Sequence, residues 1–234
     1  MDKQEKIISM FNEISGTYDK LNRILSLGID RRWRQIACRK SFEVYNKDIT
    51  QIVDVACGTG DMLRFWEEEA AKNGVSIKKY AGVDPSFGML EVAKNKIAFA
   101  DFFEGKATEL PFEDNSVDIV SITYGIRNVV EREAAWDEFY RVLKPGGLVV
   151  ILEFSKPERK MLMANLMKWW LGKMIPFVGK IVSGHSEAYS YLPDSIDEFA
   201  TTKELVSELK KHNFKEAFVK GYSFEVSTLF MMQK

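Results

Sequence analysis

VDVACGTGD, Val53 to Asp61, decides the architecture of this 234-residue chain. Val53 and Val55 sit in a short apolar run of the kind that forms a buried strand, and the run ends in Gly58-Thr59-Gly60. Two glycines let the backbone turn tightly, so that a ligand can approach the main chain. A second apolar run, YAGVD, closes on Asp84. In nucleotide-binding sheets an acid about 20 residues past the glycine turn stands at the tip of the next parallel strand and holds a ribose diol.

The residues after the turn choose between cofactors. A dinucleotide fingerprint has a third small residue where the helix passes the pyrophosphate; here that place is Leu63, and Asp61 lies between. A carboxylate beside a pyrophosphate would repel it. The same carboxylate suits a ligand with no phosphate and a positive amino group, such as S-adenosylmethionine, whose methionine part is a zwitterion and whose sulfur is cationic. Gly58, Thr59, Gly60, Asp61 and Asp84 are therefore the candidate cofactor residues, and NAD is disfavoured. The rival reading, a purely structural turn, leaves the acid-tipped second strand unexplained.

Outward from this point the pattern alternates. A strand near 51–56 is followed by a helix near 61–72, a strand at 77–83, a helix at 86–96 and a strand near 98–104. VDIVSIT (117–123) is a fourth strand, a helix runs from Arg132 to Leu143, Lys144-Pro145-Gly146-Gly147 ends it, and LVVILEF is the fifth strand. After an insert over 155–197, residues 199–212 read as a helix. KEAFVKG and FEVSTLFMM then form two strands joined by a tight turn at Gly221 to Ser223. Such alternation predicts an α/β fold, a parallel sheet with helices on both faces. The first 45 or so residues are helical, with Ile7, Ile8, Phe11 and Ile14 at helical spacing. One domain is expected over 1–234.

Composition narrows the function. With 46% hydrophobic residues the chain can bury a substantial core, and 33 basic against 34 acidic residues leave a net charge of -1. No global positive field exists to gather phosphate backbones, so nucleic acid is not an expected partner. Two separated cysteines, Cys38 and Cys57, and two histidines, His185 and His212, support neither a disulfide framework nor a metal site. The N-terminal MDKQEKIISMFNEIS has no long apolar core, and a cytoplasmic location is expected.

GTGD, GVDPSFGML, ELPFEDNSVDIV and RVLKPGGLVVILEFSKP together resemble the class I S-adenosylmethionine-dependent methyltransferases. FNEISGTYDKLNRILSLGIDRRWR (11–34), YGIRNV (124–129) and EAYSYLPDSI (187–196) are more specific; they resemble the ubiquinone/menaquinone biosynthesis C-methyltransferase family, over nearly the whole chain. The resemblance implies a Rossmann-like, seven-stranded, mostly parallel sheet with one antiparallel strand. It also implies methylation of a ring carbon of demethylmenaquinol or a related polyprenyl benzoquinol, with S-adenosylhomocysteine as the other product and no metal. Two rivals stand beside it: a methyltransferase of the same fold acting on another small lipid or phenol, and a non-catalytic, cofactor-binding member of a quinone-biosynthesis assembly.

Carried over residue by residue, the resemblance sets Thr59, Asp84, Lys106, Ala107 and Thr123 around the cofactor. Asp84 has the clearest chemistry, because two acceptor oxygens can take both diol protons. Lys106 and Ala107 would meet adenine through backbone groups, and Thr123 is equally readable as a buried strand residue. Methyl transfer to carbon needs an electron-rich ring in line with the sulfonium and the loss of a phenolic proton. Arg127 and Asn128 of GIRN are the candidates for binding the phenolate oxygen or a water that takes its proton, with Arg127 acting electrostatically. The alternative is that Arg127 caps a helix or pairs with Glu131. Tyr18 is expected to bond the substrate oxygen, and Asp19, His185 and Tyr189 are further substrate-side candidates.

The chain departs from the family pattern where an acid or amide is more usual than His185, and where Glu225 replaces a small residue. Residues 161–182, MLMANLMKWWLGKMIPFVGKIV, hold Trp169 and Trp170 between lysines. Pro176 and three lysines exclude a spanning helix. A helix lying on lipid at the inner face of the membrane, a lid over a hydrophobic tail, and packing against the sheet or a second copy of the chain in a homo-oligomer all fit this stretch.

Overall fold

Apolar runs separated by amphipathic helical stretches pair as parallel strands, since each crossover helix returns the chain to the same end of the sheet. The computed structural model describes residues 2–156, 195–223 and 225–234. Its strands are β1 (Ile49–Val55), β2 (Ile77–Asp84), β3 (Asp101–Glu104), β4 (Val117–Thr123), β5 (Leu143–Phe154), β6 (Lys215–Tyr222) and β7 (Ser227–Gln233). They form one seven-stranded sheet in the order β3-β2-β1-β4-β5-β7-β6. The first five pair in parallel, and β7 runs antiparallel between β5 and β6. The expected mostly parallel sheet with one antiparallel strand is the observed one.

Helices α1 (Lys3–Ile14), α2 (Tyr18–Leu25) and α3 (Ile29–Tyr45) precede the sheet, α4 (Asp61–Asn73), α5 (Phe87–Lys96) and α6 (Arg132–Val142) connect strands, and α7 (Thr202–Lys211) precedes β6. Alternate strand residues divide the core by face. Val53, Val55, Val120 and Ile122 pack with Trp136 and Phe139 of α6 and Leu205 and Leu209 of α7. Ile52, Ile119 and Val150 pack with Trp33 and Ala37 of α3 and with Met62, Leu63 and Trp66 of α4. Each fully buried large side chain contributes roughly 1.5–3 kcal/mol of apolar transfer.

Element ends differ from the sequence reading where backbone exceptions intervene. β5 starts at Leu143, because Leu143 pairs with Val117 and the register resumes at Ile119 with Leu148 across a bulge. The Lys144-Pro145-Gly146-Gly147 punctuation thus lies inside an irregular strand, with Gly146 at φ 79°. β7 starts at Ser227, because Ser223 and Glu225 take left-handed φ values of 49° and 67° and lengthen the hairpin turn beyond Gly221–Ser223. β3 is confined to Asp101–Glu104.

This order positions the site. From β1 the chain winds outward to β2 and β3, then crosses back to β4 on the other side of β1. The connections that leave the carboxyl ends of β1 and β4 therefore run to opposite faces of the sheet, and a crevice opens between them.

Candidate active site

One shore of the crevice follows β1 and β2. Ala56, Gly58 and Gly60 take positive φ values of 50°, 54° and 80°. Only glycine suits the last position, since a Cβ on Gly60 would stand 2.5 Å from Ile97 Cδ1. The Gly58 N–H donates to Asp84 Oδ2 at 2.8 Å, and the Ser86 N–H donates to Asp84 Oδ1 at 2.8 Å. The acid thus ties the glycine turn to the end of β2 while each of its oxygens keeps a lone pair. Burial pushes the Asp84 carboxyl up to about 6, against the pull of the Ser86 and Gly58 N–H groups.

The other shore follows β4. Thr123 ends the strand, Tyr124 takes a left-handed φ of 57°, and a short 3-10 turn covers Ile126–Asn128. A Cβ on Gly125 would stand 2.6 Å from the Cβ of Ala56, so the two strand ends approach closely only because residue 125 is glycine. Backbone strain of this sort concentrates where a wall must hold a set shape.

A cavity lies between the shores. Gly58, Asp84, Ser86 and Met89 line one side, and Thr123, Tyr124, Gly125, Asn128 and Val129 the other, with Ala107 also in the wall. Gln4, Ile7, Ile8 and Phe11 of α1 and Tyr18 of α2 complete the lining. Helix α1 is fastened to both shores. Asn12 Oδ1 accepts from Ser86 Oγ at 2.7 Å and from the Gly88 N–H at 2.9 Å, and Gln4 Oε1 accepts from the Val130 N–H at 3.1 Å. Thr123 Oγ1 is buried with no hydrogen-bond partner among the described residues, and an orphaned hydroxyl in a cavity wall suits a bound polar group.

Beside the cavity stands a charge network. Asp61 pairs with Arg23, with Lys96 at 3.2 Å and with Arg64 at 3.8 Å, while Arg23 also pairs with Asp30. Burial pushes the Asp61 carboxyl up, but Arg34, Lys96, Arg23 and Arg64 outweigh it and hold the group below the usual range. Thr59 Oγ1 and Lys96 Nζ both donate to Asp19. These contacts fasten α2 to the glycine turn. Tyr18 is held the other way: burial raises its phenol, and its Asn22 hydrogen bond and the charges of Arg127 and Arg34 do not bring it back down. Tyr18 is therefore a hydrogen-bond donor at neutral pH.

Of the residues singled out from sequence, Gly58, Asp84, Ala107, Thr123, Tyr18 and Asn128 line one cavity. Thr59, Asp61 and Asp19 meet in the adjacent network, and Lys106 pairs across a bridge with Glu109. Arg127 lies behind the wall. Its Nη1 donates to Glu153 Oε1 at 2.7 Å and to the Tyr124 carbonyl at 2.6 Å, and its Nε donates to Ser195 Oγ at 3.3 Å. The alternative partner expected for it, Glu131, is replaced by Glu153. His185, Tyr189 and the stretch 161–182 lie outside the described residues. Sequence reading missed Glu153, Arg34, Arg23 and Lys96, which no local pattern marks. The apolar spacing of Ile7, Ile8 and Phe11 was a usable signal for the face of α1 that meets the cavity.

The profile of the ubiE/COQ5 methyltransferase family matches residues 1–234. A Campylobacter jejuni protein named ubiquinone/menaquinone biosynthesis C-methyltransferase UbiE is 48% identical over 234 residues, covering 100% of both chains. A demethylmenaquinone methyltransferase of Chlorobaculum tepidum is 36% identical over 232 residues, covering 99% of this chain and 93% of that one. Among solved structures, a possible histamine N-methyltransferase of Thermotoga maritima superposes with a TM-score of 0.60 at 19% identity, covering 97% and 99% of the two chains. An S-adenosylmethionine-dependent methyltransferase of Aquifex aeolicus gives 0.58 at 16%, covering 84% and 88%. At those identities the two structures speak for the fold alone.

Proposed function

Because the chain belongs to the ubiE/COQ5 methyltransferase family, we infer that it is an S-adenosylmethionine-dependent C-methyltransferase of quinone biosynthesis, and we propose that it converts demethylmenaquinol to menaquinol, a polyprenyl benzoquinol being the related substrate. Relatives named for both reactions support the substrate class. One observation carries the chemistry: a single cavity lined by an acid-tipped cradle, by the apolar face of α1 and by Tyr18 of α2. The rival readings, another phenol or a non-catalytic role, have no observation in their favour. The family match over 1–234 supports a single methyltransferase domain.

The residues present fit the cofactor. Asp84 would take the ribose diol on its remaining lone pairs, Met89 and Ala107 would flank the base, and the Thr123 hydroxyl would gain a partner. Gly58, Thr59, Gly60, Asp61 and Lys106 complete the proposed cofactor set. When bound, S-adenosylmethionine supplies an electrophilic methyl group on a cationic sulfur. Tyr18 and Asn128 line the cavity and are proposed to hold the quinol oxygen, Tyr18 by donating its O–H. Arg127 stands behind the wall with its charge balanced by Glu153, and is proposed to favour the phenolate over the phenol through the positive end of that pair, whose field reaches Tyr18. Helix α1 excludes water, and a dry cavity favours a step in which phenolate and sulfonium charges cancel. Asp19, His185 and Tyr189 are proposed to line the path of the acceptor.

Cofactor affinity should depend on pH through Asp84. Only the carboxylate accepts both diol protons, so binding is complete above the free-state value of about 6 and weakens below it. Affinity is expected to fall about tenfold per pH unit below that value; calorimetry across it that shows a flat affinity contradicts the assignment. The stability term has the opposite sign. A carboxyl raised by folding stabilises the fold below its unfolded value, and that contribution is lost as pH rises through about 6.

A polyprenyl substrate resides in the bilayer, and we propose peripheral contact with the inner face of the cytoplasmic membrane through 161–182. Among the described residues no helix is long and apolar enough to cross a membrane. Changing Trp169 and Trp170 together to Ala is expected to abolish sedimentation with liposomes; unaltered sedimentation and activity reject that surface. The substrate itself is tested by mass spectrometry of quinones from cells lacking the protein, where the accumulating quinone should lack one ring methyl group.

A further inference from the structure

Glu153 near the end of β5 is fully buried at 0% exposure, and its carboxylate is committed to one task. Oε1 accepts from Arg127 Nη1 at 2.7 Å and from the Phe154 N–H at 2.8 Å, and Oε2 accepts from the Arg127 N–H at 3.3 Å. The same Arg127 Nη1 donates to the carbonyl of Tyr124 at 2.6 Å, the residue held at a left-handed φ of 57°. Phe154 adds a second hold. Its ring stacks on Tyr124 at 4.5 Å, and the Arg127 guanidinium carbon lies 5.6 Å from the Phe154 ring centre. A chain of contacts thus runs from β5 through Arg127 to the strained turn whose residues Thr123, Tyr124, Gly125 and Asn128 make one cavity wall.

We propose that Glu153 is the positioning residue of this enzyme: acting through Arg127, it holds the Tyr124–Asn128 wall in the shape that aligns the acceptor ring. Several contacts converge on a turn that would otherwise relax from its left-handed residue. Neither Glu153 nor the Arg127 Nη1 it holds is spent on the cofactor cradle, which lies on the opposite shore apart from Thr123, the last residue of β4 before the turn. The division assigns cofactor binding to the Asp84 side together with Thr123 at the end of β4, and acceptor alignment to the Tyr124–Asn128 turn that Glu153 holds. Misplacing a wall by about 1 Å costs about 10²-fold in rate without a matching loss of affinity.

The inference rests on the methyltransferase reading, and two readouts separate their failures. Glu153→Gln keeps the shape and removes the charge that grips Arg127. Its kcat should fall by about 10- to 100-fold, with cofactor Kd unchanged within about twofold. In a double-mutant cycle with Arg127→Gln, the double variant should be no slower than Arg127→Gln alone, because both act on one wall. Hydrogen exchange needs no substrate. Amides of 124–128 should exchange faster in Glu153→Gln than in the wild type. Unchanged exchange, unchanged kcat, an additive cycle, or a cofactor affinity that falls in step with kcat each overturns the proposal. Wild-type protein inert toward every quinol removes the substrate reading, while the exchange result still decides the positioning role. Should Glu153→Gln not fold, Glu153→Asp keeps the charge, draws it back by one methylene, and carries the same expectations.

Discussion

Arg127→Ala is expected to lower the unfolding free energy by about 3–5 kcal/mol, the cost of leaving a buried carboxylate without its partner. Glu153 is wholly buried, and the guanidinium that neutralises it is 7% exposed. Replacement by Ala removes the cation, its bond to the Tyr124 carbonyl and its packing on Phe154 together. The sign of the pH dependence follows from the carboxyl. Burial raises Glu153 even with Arg127 beside it, and without Arg127 it rises further. A group raised by folding stabilises below its unfolded value and loses that contribution as pH rises through its folded value. The gap between wild type and variant should therefore narrow as pH falls and widen toward neutrality. Denaturant titrations across that range measure it, and a pH-independent gap below about 1 kcal/mol would mean that Glu153 is not orphaned. Combining Arg127→Met with Glu153→Gln should recover much of the loss, since neither buried charge remains.

Asp84→Ala should weaken S-adenosylmethionine binding by about 1.5–3 kcal/mol, roughly 10- to 150-fold in Kd. Two losses combine. The ribose diol loses its charged acceptor, and the N–H groups of Gly58 and Ser86 lose the oxygens that tie the glycine turn to β2. Asp84→Asn separates them, since an amide oxygen can retain one of the two backbone donors while the charge disappears. Asp84→Asn should thus lose cofactor affinity with a smaller loss of melting temperature than Asp84→Ala. Calorimetry and thermal melts together decide it. Wild-type affinity in either variant would remove Asp84 from the cofactor site.

The cradle was legible in the sequence because its parts are local. A short apolar run with Val53 and Val55, two glycines and an acid at the end of the next run require no knowledge of distant contacts. VDIVSIT, with its dense apolar pattern, likewise marked β4 at Val117–Thr123. The ends of β5 and β7 were less legible, because a bulge after Leu143 and left-handed residues at Ser223 and Glu225 depend on pairing partners far along the chain. The same physics hid Glu153. In LVVILEF it reads as one polar residue near a strand end, and only the return of the chain from β4 sets Arg127 against it. The negative charge of Asp61 is legible locally, and the fold adds what local reading could not: Arg23, Lys96, Arg34 and Arg64 converge on it from three other helices and its own.

The most direct measurement is transfer by the purified protein from isotopically labelled S-adenosylmethionine to demethylmenaquinol in detergent or liposomes, with the quinone analysed by mass spectrometry. The account predicts one labelled methyl on a ring carbon, formed at a rate that collapses in Asp84→Ala through lost cofactor affinity and in Glu153→Gln through lost turnover. A protein that binds the donor yet leaves the quinol ring unlabelled, or places the label on oxygen, would contradict it.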